Sequence, residues 1–159
     1  MANVIASAIS QPFARAWDLL NSYIDVCPEN IWAEKNGGWP VWQQIAHAVM
    51  VADWLVSAGN EELLPTPCDR DVASLKTQGT RPVAKTAMKD YAASVKKRVD
   101  AWFVCLADEN LPELNAALTK IVKRDMPYAA VAVMLASHTN YHLGSCDAAL
   151  RDHGLPGVF

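Results

Sequence analysis

The amino-acid sequence predicts an all-α protein built on four long helices, with a long connection between the second and the third. Three observations lead there. Apolar residues recur at steps of three and four over long stretches, the period of one helix face. Prolines stand two positions after capping residues, at Ser10-Gln-Pro12, Thr80-Arg-Pro82 and Asp125-Met-Pro127, the arrangement of a helix start. No stretch shows the two-residue alternation or the turn signal of a β-hairpin. Long amphipathic helices without a sheet bury their faces against one another, so the predicted architecture is a helical bundle.

The first helix follows Pro12, with Phe13, Trp17, Leu20 and Ile24 on one stripe. The second occupies about 40–56 and opens at Gly37-Gly38-Trp39-Pro40, a plain turn ahead of a proline in the first helical turn, where its missing N–H costs nothing. It is apolar on nearly all sides, as expected of a helix covered by several neighbours. The connection over 57–80 contains Gly59, Pro65, Pro67 and Gly79. It is long for a bundle loop and permits a crossover that leaves helices two and three parallel. The third helix follows Pro82 with the stripe Ala84, Met88, Tyr91, Val95, Val99, Trp102 and Leu106, and the segment 108–124 has room for a short helix around 112–123. The fourth helix starts at Pro127, and its stripe is Tyr128, Val131, Leu135, His138, His142, Ser145 and Ala149.

Length and composition bound the function. At 159 residues the chain has the size of one domain, read here as 1–159, and can bury about two-thirds of its unfolded surface. Hydrophobic residues make up 52% and charged residues 19%, too apolar for disorder and too interrupted for a membrane span. Fourteen basic against 17 acidic residues give a net charge of −3, without the basic stripe that nucleic acids require. The four cysteines, Cys27, Cys68, Cys105 and Cys146, form no CxxC pair, so free thiols in a reducing compartment are expected. The apolar start of the chain lacks the positive charge of a signal peptide, and the expected location is the cytoplasm.

The chemistry begins at His138-Thr-Asn-Tyr-His142. A spacing of four puts two imidazoles on one helix face about one turn apart, where they can share a metal ion. Buried polar groups need partners, and a metal is one such partner. His47, in the middle of the second helix with Gln43, Gln44, Met50, Val51 and Trp54 around its face, is the available third ligand. Taken alone it is equally a core histidine bonded to a backbone carbonyl or a glutamine. Three neutral imidazoles suit Zn²⁺ or Ni²⁺ and leave a coordination position for water or substrate. His153, at the end of the fourth helix before Gly154, reads as a C-terminal cap. The position after His138 is Thr139 rather than the glutamate of HExxH, which excludes a zincin protease. No acid–histidine relay can be placed beside Ser145, and no Gly-rich phosphate loop is present.

His47 in the setting Trp39-Pro-Val-Trp-Gln-Gln-Ile-Ala-His47, followed by Ala52-Asp53-Trp54, and His138-Thr-Asn-Tyr-His-Leu-Gly144 together resemble the DinB/YfiT-like superfamily over most of the chain. The resemblance implies a four-helix bundle in which one histidine of the second helix and an HxxxH pair of the last hold a divalent metal, often zinc or nickel. Those ligands map onto His47, His138 and His142. Where many members read H-x-x-Y-H-x-G-Q, this chain has Ser145 in place of the glutamine. The resemblance also implies candidate reactions, since relatives include S-transferases that use low-molecular-weight thiols.

A metal with an open position lowers the pKa of a bound thiol or water. No acidic residue stands about one turn from the histidines, so metal-activated thiol transfer is expected ahead of hydrolysis. The candidate pocket residues are Arg98, Trp54, Tyr141 and Ser145. Arg98 interrupts the third stripe, either covering apolar surface with its stem or lining a pocket for an anionic substrate. The expected partner is a small molecule, and the six tryptophans and the apolar second helix leave room for a homodimer. The alternative function is a non-enzymatic metal-binding or stress-response bundle acting as a dimeric interaction module, whose ion only knits helices two and four together, a site that a fourth protein ligand, Asp53 or a loop residue recruited by the fold, would close.

Overall fold

The computed structural model describes residues 3–58 and 62–159, so Gly59 of the long connection lies outside the described residues. The chain is mainly helical. The order is α1 (Val4–Val26), α2 (Glu29–Ala33), a two-stranded hairpin of β1 (Lys35–Asn36) and β2 (Trp39–Pro40), α3 (Val41–Ser57), α4 (Arg70–Ala73), α5 (Lys85–Cys105), a 3-10 turn over Asp108–Asn110, α6 (Ala116–Val122) and α7 (Tyr128–Asp152). The four long helices are α1, α3, α5 and α7. Both α1 and α3 pack against α5 and α7, around a core that contains Phe13, Trp17, Trp32, Trp42, Ile45, Met88, Val95 and Leu135.

Three sequence expectations change. Helix α1 starts at Val4 and runs through Pro12 instead of beginning there. An internal proline removes the bond to the carbonyl four residues earlier, but Ala8 and Pro12 are both exposed, so water can take that carbonyl. The early turns are secured from elsewhere: the Asp108 carboxylate accepts the N–H groups of Ile5 (3.2 Å) and Ala6 (2.8 Å), and Ala6 packs with Leu106 and Leu111. These backbone N–H bonds hold the Asp108 carboxyl below its ordinary pKa. Helix α5 likewise begins at Lys85, three residues beyond Pro82, because Ala84 before it is extended, at φ −61° and ψ 139°, and the Val83 carbonyl is taken by Trp32 Nε1 at 2.8 Å.

The third change is the hairpin. Lys35 pairs with Pro40 and Asn36 with Trp39, and Gly37 and Gly38 take φ of +60° and +92°. A two-residue hairpin turn needs positive φ at both centres, which glycine adopts without cost. Strands of two residues are too short to show alternation in sequence.

The other elements lie close to the sequence reading. Helix α3 is buried on nearly all sides, α5 buries Met88, Tyr91, Val95 and Val99, and α7 starts directly after Pro127. The segment 112–123 holds α6, whose N-cap Asn115 accepts the Leu118 N–H at 3.0 Å. His153 caps α7, and beyond it Gly154 at φ +73° lets Leu155 N–H return to the Leu150 carbonyl at 3.0 Å. His153 Nε2 also meets Glu34 at 2.7 Å. All four cysteines are free thiols. Among the described residues no helix is long and apolar enough to cross a membrane.

The connection from α3 to α5 is fastened to α3. Asp53 is fully buried; its Oδ2 accepts the Leu64 N–H at 2.7 Å and its Oδ1 accepts from Arg98 at 2.8 Å. Arg98 also donates to the Glu62 carbonyl at 2.9 Å. Removing the arginine leaves a buried carboxylate without its countercharge. Arg98→Met is therefore expected to destabilise the fold by roughly 2–4 kcal/mol, below the range for a fully enclosed pair because Arg98 keeps some contact with water. The check is urea unfolding, in which the midpoint falls at unchanged slope.

Candidate metal centre

The geometry of α7 delivers two ligands and α3 the third. His138 and His142 lie one turn apart, with ring centroids 4.8 Å apart. The packing of α3 on α7 sets His47 against both, at 5.2 Å from His138 and 4.8 Å from His142. One ring nitrogen from each lies within 4.8 Å of the other two, so the three side chains could hold one metal ion. Among the described residues no cysteine, carboxylate or further histidine joins the group. Asp53, a candidate fourth ligand by sequence, is instead held by Arg98 and Leu64.

Protonation favours ligation. His47 Nδ1 lies 2.9 Å from the Ala73 carbonyl. A carbonyl can only accept, so Nδ1 carries the proton and Nε2 keeps its lone pair. Burial pushes the His47 pKa down, with the Ala73 carbonyl partly opposing it. Burial, and then the charge on His47, push His138 down to about 4. His142 falls to about 3, chiefly by burial and then by its two histidine neighbours. The cluster is therefore uncharged at neutral pH, and a cation need displace no proton from it. His142 is 6% exposed, and its buried Nδ1 has no hydrogen-bond partner. A stranded polar nitrogen costs free energy; a cation that took its lone pair would remove that cost, and an all-imidazole set suits a divalent transition metal.

The residues around the cluster form two fastenings one turn from the histidines. Gln44, fully enclosed on α3, donates from Nε2 to the carbonyls of Asn36 (2.6 Å) and Trp39 (3.2 Å). Asn36 in turn donates to the Ser145 carbonyl on α7. A side chain at Gly37 would lie 2.7 Å from Ser145 Oγ, so the hairpin sits tightly on α7 at that residue. Tyr141 is 75% exposed, its ring edge-on to His142 at 5.0 Å. Trp54 is half-buried against the main core. Arg98 is bound to Asp53 and the connection, which gives it a structural role.

Sequence reasoning could not say which backbone carbonyl meets His47, and it gave Gln43 and Gln44 no role. The Ala73 carbonyl has no residue signature, since a backbone oxygen is positioned by the fold alone. Gln43 and Gln44 did leave a signal, two adjacent amides in a helix otherwise apolar on every side.

The chain matches the DinB superfamily over residues 13–146, a span that includes His47, His138 and His142. It belongs to the DinB superfamily. No curated protein and no solved structure gave a significant match.

The lowered histidine pKa values set a pH dependence for the metal-free protein. Each imidazole titrates lower folded than its ordinary value of 6.5, so across the window from 6.5 down to about 3 the unfolded chain binds more protons. The histidine contribution to stability is whole above that window and is lost as pH falls through it. Thermal unfolding of metal-free protein from about pH 7 to about pH 4.5 should show a drop in Tm that is steeper for wild type than for His142→Phe. Equal slopes would refute the assignment, because the carboxylates common to both proteins cancel in the difference.

Proposed function

We propose that this protein is a DinB-type four-helix bundle in which His47, His138 and His142 ligate one divalent transition metal, zinc or nickel, as an open catalytic site. The observation behind this reading is the convergence of three neutral imidazoles from α3 and α7 with no fourth ligand among the described residues. A structural site is ordinarily closed by four protein ligands, whereas three leave a position for a reactant. When bound, such a metal supplies Lewis acidity that brings the pKa of a coordinated thiol or water towards neutrality.

Thiol transfer is the favoured reaction. The carboxylate nearest in sequence to His47 on α3, Asp53, is neutralised by Arg98 and the Leu64 N–H and is not free to act as a base. A thiol, whose pKa starts far below that of water, needs the least help from a protein base. The substrates proposed are a low-molecular-weight thiol and a small electrophile. Tyr141 offers an aromatic wall beside His142, and the Lys35–Pro40 hairpin, fixed by Gln44 and Ser145, bounds the cluster one turn along both helices.

Elemental analysis of protein purified without a metal-affinity tag tests the site. About one equivalent of zinc or nickel is expected in wild type, and none in the triple variant His47→Ala, His138→Ala, His142→Ala. The metal-loaded protein is then expected to accelerate conjugation of a cellular thiol to an electrophile. Cleavage of ester or amide substrates without any thiol conjugation would turn the assignment to hydrolysis.

A further inference from the structure

Gln43 stands four residues before His47, one turn back on α3, and is fully buried. Its amide is completely satisfied by a single segment of the long connection. Nε2 donates to the carbonyls of Val72 at 2.8 Å and Thr77 at 2.7 Å, and Oε1 accepts the Gly79 N–H at 2.9 Å. The Val72 carbonyl belongs to the peptide that joins Val72 to Ala73. The next carbonyl along, that of Ala73, is the one that accepts His47 Nδ1–H.

One buried amide thus holds both ends of a segment that has little regular structure of its own beyond the single turn of α4. Only a side chain with two donors and one acceptor can do this. Methionine of similar length supplies none of the three bonds, and asparagine is one methylene too short to reach. The segment is also confined from the other side. A side chain at Gly79 would stand 2.3 Å from Trp42 Cη2 and 2.9 Å from Val72 Cγ1, so only glycine lets the segment come this close to α3.

We propose that Gln43 is a positioning residue for the metal centre. By clamping 72–79 it fixes the Ala73 carbonyl over His47, which sets both the orientation of that ring and the tautomer that leaves Nε2 free to ligate. The proposal rests on the reading of His47 as a ligand. Its action on the His47 ring exists without metal, and so can be tested separately. Groups that orient a ligating histidine ordinarily contribute 10- to 100-fold to metal affinity.

The experiment uses the full chain labelled with ¹⁵N at histidine, metal-free, in wild type, Gln43→Met and Gly79→Ala. Gly79→Ala displaces the segment while keeping the glutamine, so it serves if Gln43→Met fails to fold. Long-range ¹H–¹⁵N spectra read the tautomer of His47, and competition with a chromophoric chelator reads the dissociation constant for Zn²⁺ alone. In wild type, His47 is expected as the Nδ1–H form. In either folded variant it is expected as a mixture of tautomers, with Zn²⁺ bound about 10- to 100-fold more weakly. A wild-type His47 protonated on Nε2, or a folded variant whose tautomer is unchanged, would overturn the proposal. If wild type binds no Zn²⁺ yet the variants shift the tautomer, the metal reading fails while the action of Gln43 on His47 stands.

Discussion

A helix buried on nearly every side must find partners for each polar group it contains, and α3 is under that constraint along its whole length. Gln43, Gln44, His47, Asp53 and Ser57 all lie on it, and four of the five are buried. An unpaired polar group in such surroundings costs on the order of 1–3 kcal/mol. Each therefore recruits something. Gln43 takes the segment 72–79, Gln44 the hairpin, His47 the Ala73 carbonyl, and Asp53 the Leu64 N–H and Arg98; Ser57 turns back on the Asp53 carbonyl at 2.7 Å. The hairpin and the connection from α3 to α5 are held by the polar requirements of one helix.

That arrangement explains how an irregular connection can hold an imidazole in one orientation. A loop carbonyl makes a dependable partner for an imidazole only if the loop is held as firmly as a helix. Here the holding group, Gln43, is on the same helix as the imidazole, one turn away, so His47 and its support share one element. The hairpin is treated likewise from Gln44 and, through Asn36, from Ser145 of α7. The two helices that supply histidines are thus also the two that fasten the surrounding segments.

The histidine cluster has the opposite character to the glutamine layer. Where the Gln43 amide is fully satisfied, the imidazoles keep unused capacity: His142 Nδ1 is buried without a partner, and burial holds all three rings neutral. A satisfied polar network rigidifies, whereas an unpaired nitrogen in its midst keeps capacity for a partner.

Much of this was legible in the sequence, because helix periodicity and ligand spacing are local. The stripes of α5 and α7, the all-round burial of α3 and the shared face of His138 and His142 follow from 3.6 residues per turn. The DinB likeness likewise rests on short runs around His47 and His138. Three things depended on residues distant in sequence. The start of α1 was set by Asp108, about a hundred residues away, which outweighed the local proline signal. The hairpin has a local signal in Gly37-Gly38, but its strands are two residues each and it is fastened to Ser145 of α7 through Asn36. The Ala73 carbonyl carries no side-chain signature at all. Sequence determined which residues could share a helical face, and its likeness to a known family set His47 beside the histidine pair of α7; tertiary structure decided what would hold His47 there, because hydrogen bonds and packing across the core are formed by contacts that no local pattern encodes.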